Sequence, residues 1–172
     1  LQDFGFNVSS GSDSLSGGEV TGNFIATSDE ILINGTSLGA VQNGTSTSIT
    51  ASDIAFAVNS ISSTTGVSAE ASTSIAYEID IDNYNNSALT LTINGVSIVN
   101  TSATTLDDVV STINGANIQG VVATADTDGQ LVLTSDTGLD INLAQSNASF
   151  VTETGGAVGT SDTTNGKITL TG

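Results

Sequence analysis

Leu89-Thr90-Leu91-Thr92-Ile93-Asn94-Gly95-Val96-Ser97-Ile98 is the stretch from which the rest of the chain can be read. Apolar and hydroxyl residues alternate from Leu89 to Ile93, the period-two pattern of a half-buried strand. Asn94-Gly95 then favours a tight turn, because both residue types tolerate positive φ. The same tripeptide stands at Ile33-Asn34-Gly35, behind the apolar run Ile31-Leu32-Ile33. One pattern is therefore used twice.

Each turn is followed by a short helical pattern. Thr50-Ala51-Ser52-Asp53 and Thr105-Leu106-Asp107-Asp108 read as capping boxes with Asp in place of the usual Glu. The Thr oxygen accepts from a first-turn amide, and the Asp suits the positive helix end. Apolar residues follow at helical spacing: Ile54, Val58 and Ile61 in the first copy, Val109, Val110 and Ile113 in the second. Both helices carry an Asn near the end, Asn59 and Asn114, and the second reaches Gly115, which is expected to stop it.

A strand returns after each helix, at Gly66-Val67-Ser68-Ala69 and Gly120-Val121-Val122-Ala123. In the second copy it runs through the turn Asp126-Thr127-Asp128-Gly129 into Gln130-Leu131-Val132-Leu133-Thr134, a hairpin, and a last alternating strand covers Leu139 to Leu143. The unit is strand, turn, helix, strand, hairpin and strand, a module of about 60 residues. The expected fold is α+β and strand-dominated: two small modules, each with a β-sheet and one short helix.

The first copy lacks its closing hairpin. After the strand-like Ile75 to Ile81 comes a loop, Asp82 to Asn86, and then the second copy begins. The missing piece resembles Asn165-Gly166-Lys167-Ile168-Thr169-Leu170-Thr171, which parallels Asp128-Gly129-Gln130-Leu131-Val132-Leu133-Thr134. This suggests nesting: a first module of residues 1–86 plus 147–172, and a second of residues 87–146 inserted within it. Two consecutive modules with an extra C-terminal hairpin are the alternative, and the strand partner of Lys167 discriminates between them.

Composition narrows function. The chain has no Cys, His, Met, Trp, Pro or Arg, and its one basic side chain is Lys167. Without His or Cys, the usual neutral-pH general base, the common zinc ligands and the thiolate nucleophile are missing. A net charge of −17 repels nucleic acid and anionic lipid. There is no apolar run long enough for a membrane helix. With 37% apolar but only 4% aromatic residues, the core is built from Val, Ile, Leu and Ala. The chain begins at Leu1 without a Met or a signal peptide, as expected of an excised or processed piece.

Ile93-Asn94-Gly95-Val96-Ser97-Ile98, the helix Asp107 to Asn114 and the strand Gly129 to Ser135 resemble the IN motif of bacterial flagellins and hook-associated proteins. Ile33-Asn34-Gly35 with Asp53 to Asn59 looks like a diverged second copy. The resemblance implies the outer, variable region of a flagellin: an extracellular structural protein of the bacterial flagellum, setting filament surface properties and antigenicity. It implies neighbouring flagellin subunits as partners in the full-length filament, leaves host or surface contacts open, and implies a monomer for the isolated fragment. Neither nucleic acid nor membrane is an expected partner. A hook-associated or filament-cap domain is the close alternative. A calcium-dependent extracellular adhesin or glycan-binding module is the alternative of a different class.

Individual motifs read blandly. Asp126 to Gly129 resembles the opening of a calcium loop, but the spacing and the later Glu are not met, and a hairpin turn explains it better. Asp80-Ile81-Asp82-Asn83 gathers carboxylates, but a solvated inter-domain loop is the simpler reading. Tyr77 and Tyr84 flank it; a ligand platform is conceivable, and packing across a strand pair and domain junction is the better reading. Gly155 to Gly159 is a Gly-rich loop with no basic partner for phosphate. The 50 Ser and Thr residues, and the sequons at Asn43 and Asn147, are candidate glycan acceptors. No catalytic, cofactor-binding or metal-ligating residue is assigned; the chain is expected not to be an enzyme and to need no cofactor.

Overall fold

The computed structural model describes residues 14–21, 31–41, 49–84, 90–98, 102–146, 151–153 and 160–172. In chain order the elements are β1 (Ser14–Glu19), β2 (Leu32–Ile33), β3 (Thr36–Ser37), α1 (Ala51–Ser60), α2 (Ser62–Thr65), β4 (Ser68–Ile79), α3 (Ile81–Tyr84), β5 (Leu91–Ile93) and β6 (Val96–Ile98). Then follow α4 (Leu106–Gly115), β7 (Val122–Ala125), β8 (Leu131–Ser135), β9 (Ile141–Gln145), β10 (Val151–Glu153), β11 (Ser161–Thr164) and β12 (Lys167–Thr171). The fold is α+β and strand-dominated, and every strand pair among the described residues is antiparallel.

The chain divides into two compact units. Unit 1 comprises Leu1–Ser72, Thr137–Leu139 and Asn165–Gly172; unit 2 comprises Thr73–Asp136 and Asp140–Thr164.

In unit 1, β12 lies between β1 and the first half of β4. Lys167 pairs with Ser72, Ile168 with Ala71 and Leu170 with Ala69. One helical face of α1 supplies Ala51, Ala55 and Val58 to a core shared with Leu38, Val41, Ile49, Val67, Ala69 and Ala71. Ala51, Ala55, Ala69 and Ala71 are its small members. Gly138 takes φ +71 with its α-carbon face against Ala71, and Gly166 faces the Gly138 carbonyl and Ala51, so neither position has room for a Cβ. Across β1 and β12, Ser14 pairs with Thr171.

In unit 2, β8 pairs with β7 and with the second half of β4, and β10 also pairs with β4. A second sheet has the order β11-β9-β5-β6. Strict alternation puts Leu131, Leu133 and Ser135 of β8, and Ile141, Leu143 and Gln145 of β9, into the interior. From α4 come Val109 and Ile113. Burying each Leu or Ile contributes about 1.5–3 kcal/mol, so stability is spread over many aliphatic contacts.

Four sequence expectations shift. The return strand at Val67 and the run from Ile75 are one twelve-residue strand, β4, because alternation continues unbroken between them and no Gly or Pro interrupts it. The strand-like run to Ile81 ends at Ile79, and the loop expected at Asp82 to Asn86 begins as a helical turn, Ile81–Tyr84, with the Tyr84 amide bonded to the Asp80 carbonyl at 2.8 Å. Together with α2, this adds single-turn helices to the one helix expected per module. The strand expected at Leu139–Leu143 is displaced to Ile141–Gln145, since Thr137–Leu139 belongs to unit 1. α4 ends at Gly115 as expected, but Gly115 is still helical and does not take the left-handed turn. The left-handed position falls on Asn117 (φ 52), whose Nδ2 donates to the Gly115 carbonyl at 2.9 Å, and Asn tolerates that conformation.

Candidate functional site

The most constrained feature is a hairpin, a capped helix and a return strand, built twice. Both Asn-Gly pairs adopt positive φ at both residues, 49° and 79° at Asn34-Gly35 and 48° and 77° at Asn94-Gly95. That is the backbone twist a two-residue hairpin needs. The second hairpin is also clamped from outside: Asn94 Oδ1 accepts from the Asn142 amide at 2.7 Å, and Nδ2 donates to the Asp140 carbonyl at 3.1 Å. Asn34 instead donates Nδ2 to the Thr65 carbonyl at 2.8 Å.

Both helix starts are reciprocal capping boxes. The Thr50 amide donates to Asp53 Oδ2 at 2.8 Å, and Thr50 Oγ1 accepts from the Asp53 amide at 3.4 Å. The Thr105 amide donates to Asp108 Oδ2 at 3.0 Å, and Thr105 Oγ1 accepts from the Asp108 amide at 3.3 Å. Asp108 gains more, because the Thr104 amide and hydroxyl also donate to it, at 2.8 and 3.1 Å. These bonds, led by that of the Thr104 amide, hold its carboxyl below the usual aspartate value of 3.8.

At the other helix end, Asn114 Nδ2 donates to the Ala123 carbonyl and its Oδ1 accepts from the Ala123 amide, both at 2.9 Å. Asn59 does the same with Ala69, at 2.9 and 2.8 Å. One amide side chain satisfies both main-chain groups of a single strand residue and fixes the helix against the returning strand. Sequence reading placed Asn59 and Asn114 at the helix ends but missed this role. Its signal was the Gly-Val-x-Ala that follows each Asn. Gln145 was missed too: buried, it donates Nε2 to the Val151 carbonyl at 2.8 Å and accepts from the Val151 amide at 3.0 Å.

Among the described residues, the singled-out ones do not converge on a chemical centre. Asp126 Oδ1 accepts from the amides of Asp128 (2.9 Å) and Gln130 (2.8 Å), so this carboxylate shapes the β7–β8 turn. Tyr77 is fully buried, with its hydroxyl donating to Asp162 Oδ2 at 2.8 Å. Tyr84 is buried in the same core, and burial raises its hydroxyl pKa. Neither ring is a ligand platform. Gly155 to Gly159 and the Asn43 and Asn147 sequons lie outside the described residues. Among the described residues no group of three or more His, Cys, Asp or Glu is placed to hold a metal ion. None of the described helices is long and apolar enough to cross a membrane.

Residues 90–137 match the family model described as the flagellin hook IN motif. The matched span runs from the second Asn-Gly hairpin through α4 to the β7–β8 hairpin, and the chain therefore carries a flagellin-related region. That motif is one of flagellin-type structural proteins, whose filaments are extracellular and assemble from like subunits. No curated protein matches the chain.

Two outcomes follow. Asn114→Ala leaves the Ala123 amide and carbonyl without their side-chain partner and should cost about 1–3 kcal/mol; equilibrium urea unfolding measures it, and a loss near zero would refute the clamp. Because the folded state lowers the Asp108 pKa, its stabilisation is present above the ordinary aspartate value and is lost as pH falls below 3.8. The stability difference between the native chain and Asp108→Asn should therefore shrink on acidification through that range, and a difference that grows would contradict the assignment.

Proposed function

We propose that this chain is the surface-exposed outer region of a bacterial flagellin, setting the surface properties and antigenicity of the filament. The match of residues 90–137 to the flagellin hook IN motif carries this reading. One further feature supports it. With a net charge of −17 and a single Lys, like-charge repulsion keeps such surfaces apart and soluble. The word hook in the family description favours one second reading, a hook-associated or filament-cap domain.

We also propose the nested arrangement: an IN-type module of residues 87–146 inserted within one of residues 1–86 and 147–172. Its support is register. Ala69 pairs with Leu170 and Ala71 with Ile168, just as Ala123 pairs with Leu133 and Ala125 with Leu131. With Asn59 and Asn114 clamping Ala69 and Ala123, the closing strand β12 stands to the first copy as β8 stands to the second.

Immunogold electron microscopy with an antibody against this chain tests the function. Gold along whole filaments is expected. Gold confined to the tip or the hook junction would move the assignment to the second reading, and gold on the cell body with bare filaments would end the flagellar one. For the nesting, the segment 73–164, which spans the compact unit that contains residues 87–146, should unfold in one cooperative transition when expressed alone; an unfolded segment would count against an inserted module.

A further inference from the structure

Five Asn-Gly pairs occur in the chain, at Asn34, Asn43, Asn94, Asn114 and Asn165, and Asn43 lies outside the described residues. An Asn-Gly pair is open to internal attack, because a glycine amide carries no Cβ to hinder its approach to the preceding side chain. Three of the pairs share the tripeptide Ile-Asn-Gly, at 33–35, 93–95 and 113–115. Any difference in reactivity among these three in the folded protein is therefore set by tertiary structure.

Asn94 has both ends of its side chain held, by Asn142 and Asp140. Asn114 has both ends held by Ala123. At Asn165 the following Gly166 is buried against the Gly138 carbonyl and Ala51, and its own carbonyl accepts from the Val20 amide at 2.8 Å, so that peptide has no room to turn. Asn34 is different. It is exposed, its Nδ2 has one partner, and among the described residues nothing donates to its Oδ1. The hairpin that carries it has two residue pairs, Leu32 with Ser37 and Ile33 with Thr36, and belongs to no larger sheet, whereas β5–β6 is part of a four-stranded one. Isolated two-stranded hairpins are marginal and open locally at little cost. Opening frees the Asn34 backbone from φ 49° and lets the reacting atoms meet.

We infer that Asn34 is a site of spontaneous deamidation. The Gly35 amide nitrogen bonds to Cγ of Asn34; the nitrogen's proton and the side-chain amide leave as ammonia, closing a five-membered imide. Water then opens the ring at either carbonyl, giving aspartate or isoaspartate. Both products add a negative charge, and isoaspartate inserts a methylene into the main chain at the turn. An acid oxygen in place of Nδ2 would face the Thr65 carbonyl, so the hairpin loses this hydrogen bond to α2. The β2–β3 surface thus changes with the age of the molecule, whether or not the chain is flagellar.

The test is to incubate the folded chain in warm, mildly alkaline buffer, digest it, and follow each Asn-Gly peptide by mass spectrometry, with enzymatic methylation to report isoaspartate. Asn34 should convert about fivefold or more faster than Asn94 and Asn114, the factor that one hydrogen bond's difference in restraint gives. In strong denaturant the three rates should converge. Equal rates in the folded chain, or an Asn34 excess that persists in denaturant, would overturn the inference.

Discussion

A side-chain amide pressed against the backbone of a single alanine organises each half of this protein. Helix and strand have different periods and no main-chain hydrogen bonds in common, so packing alone leaves them free to slide. Asn114 on Ala123, and Asn59 on Ala69, remove that freedom by satisfying the donor and the acceptor of one strand residue from the end of the preceding helix. Once this is fixed, the alternation of β4 and β7 decides which side chains meet the helix. The partner strand then follows in register, Leu170 opposite Ala69 and Leu133 opposite Ala123.

The two halves use this frame with different packing. The second fills its interior with Leu131, Leu133, Ile141, Leu143, Val109 and Ile113, and closes its second sheet through the Asn94 clamp. The first is built on Ala51, Ala55, Ala69 and Ala71, with glycines at the closest approaches. Small side chains bring elements nearer but bury less apolar area each. The exposure of Leu15, Ile31, Leu32 and Phe56 accords with a thinner core in that half. The family match follows the same asymmetry, since it covers the second hairpin and helix and not the first.

Much of this was legible from particular residues. Thr50 with Asp53 and Thr105 with Asp108 located both helix starts, because a capping box is a local arrangement that the residue types nearly dictate. Asn-Gly located both hairpins for the same reason. Asp126 was legible as a turn residue. Tyr77 and Tyr84 were legible as packing residues, but their partners were not: Asp162, which accepts from the Tyr77 hydroxyl, is remote in sequence.

The sequence by itself determined the local elements: where strands alternate, where the backbone must turn, where helices begin, and, through the absence of His, Cys and Arg, which chemistries were out of reach. Tertiary structure alone decided that β4 is one strand serving two units, that the Asn59 and Asn114 amides hold Ala69 and Ala123, and that the left-handed residue after α4 is Asn117 rather than Gly115. The reason is physical. Caps and turns are settled within a few residues by main-chain geometry, whereas strand partners and burial are settled by groups distant in sequence, whose pairing becomes favourable only when the whole unit closes.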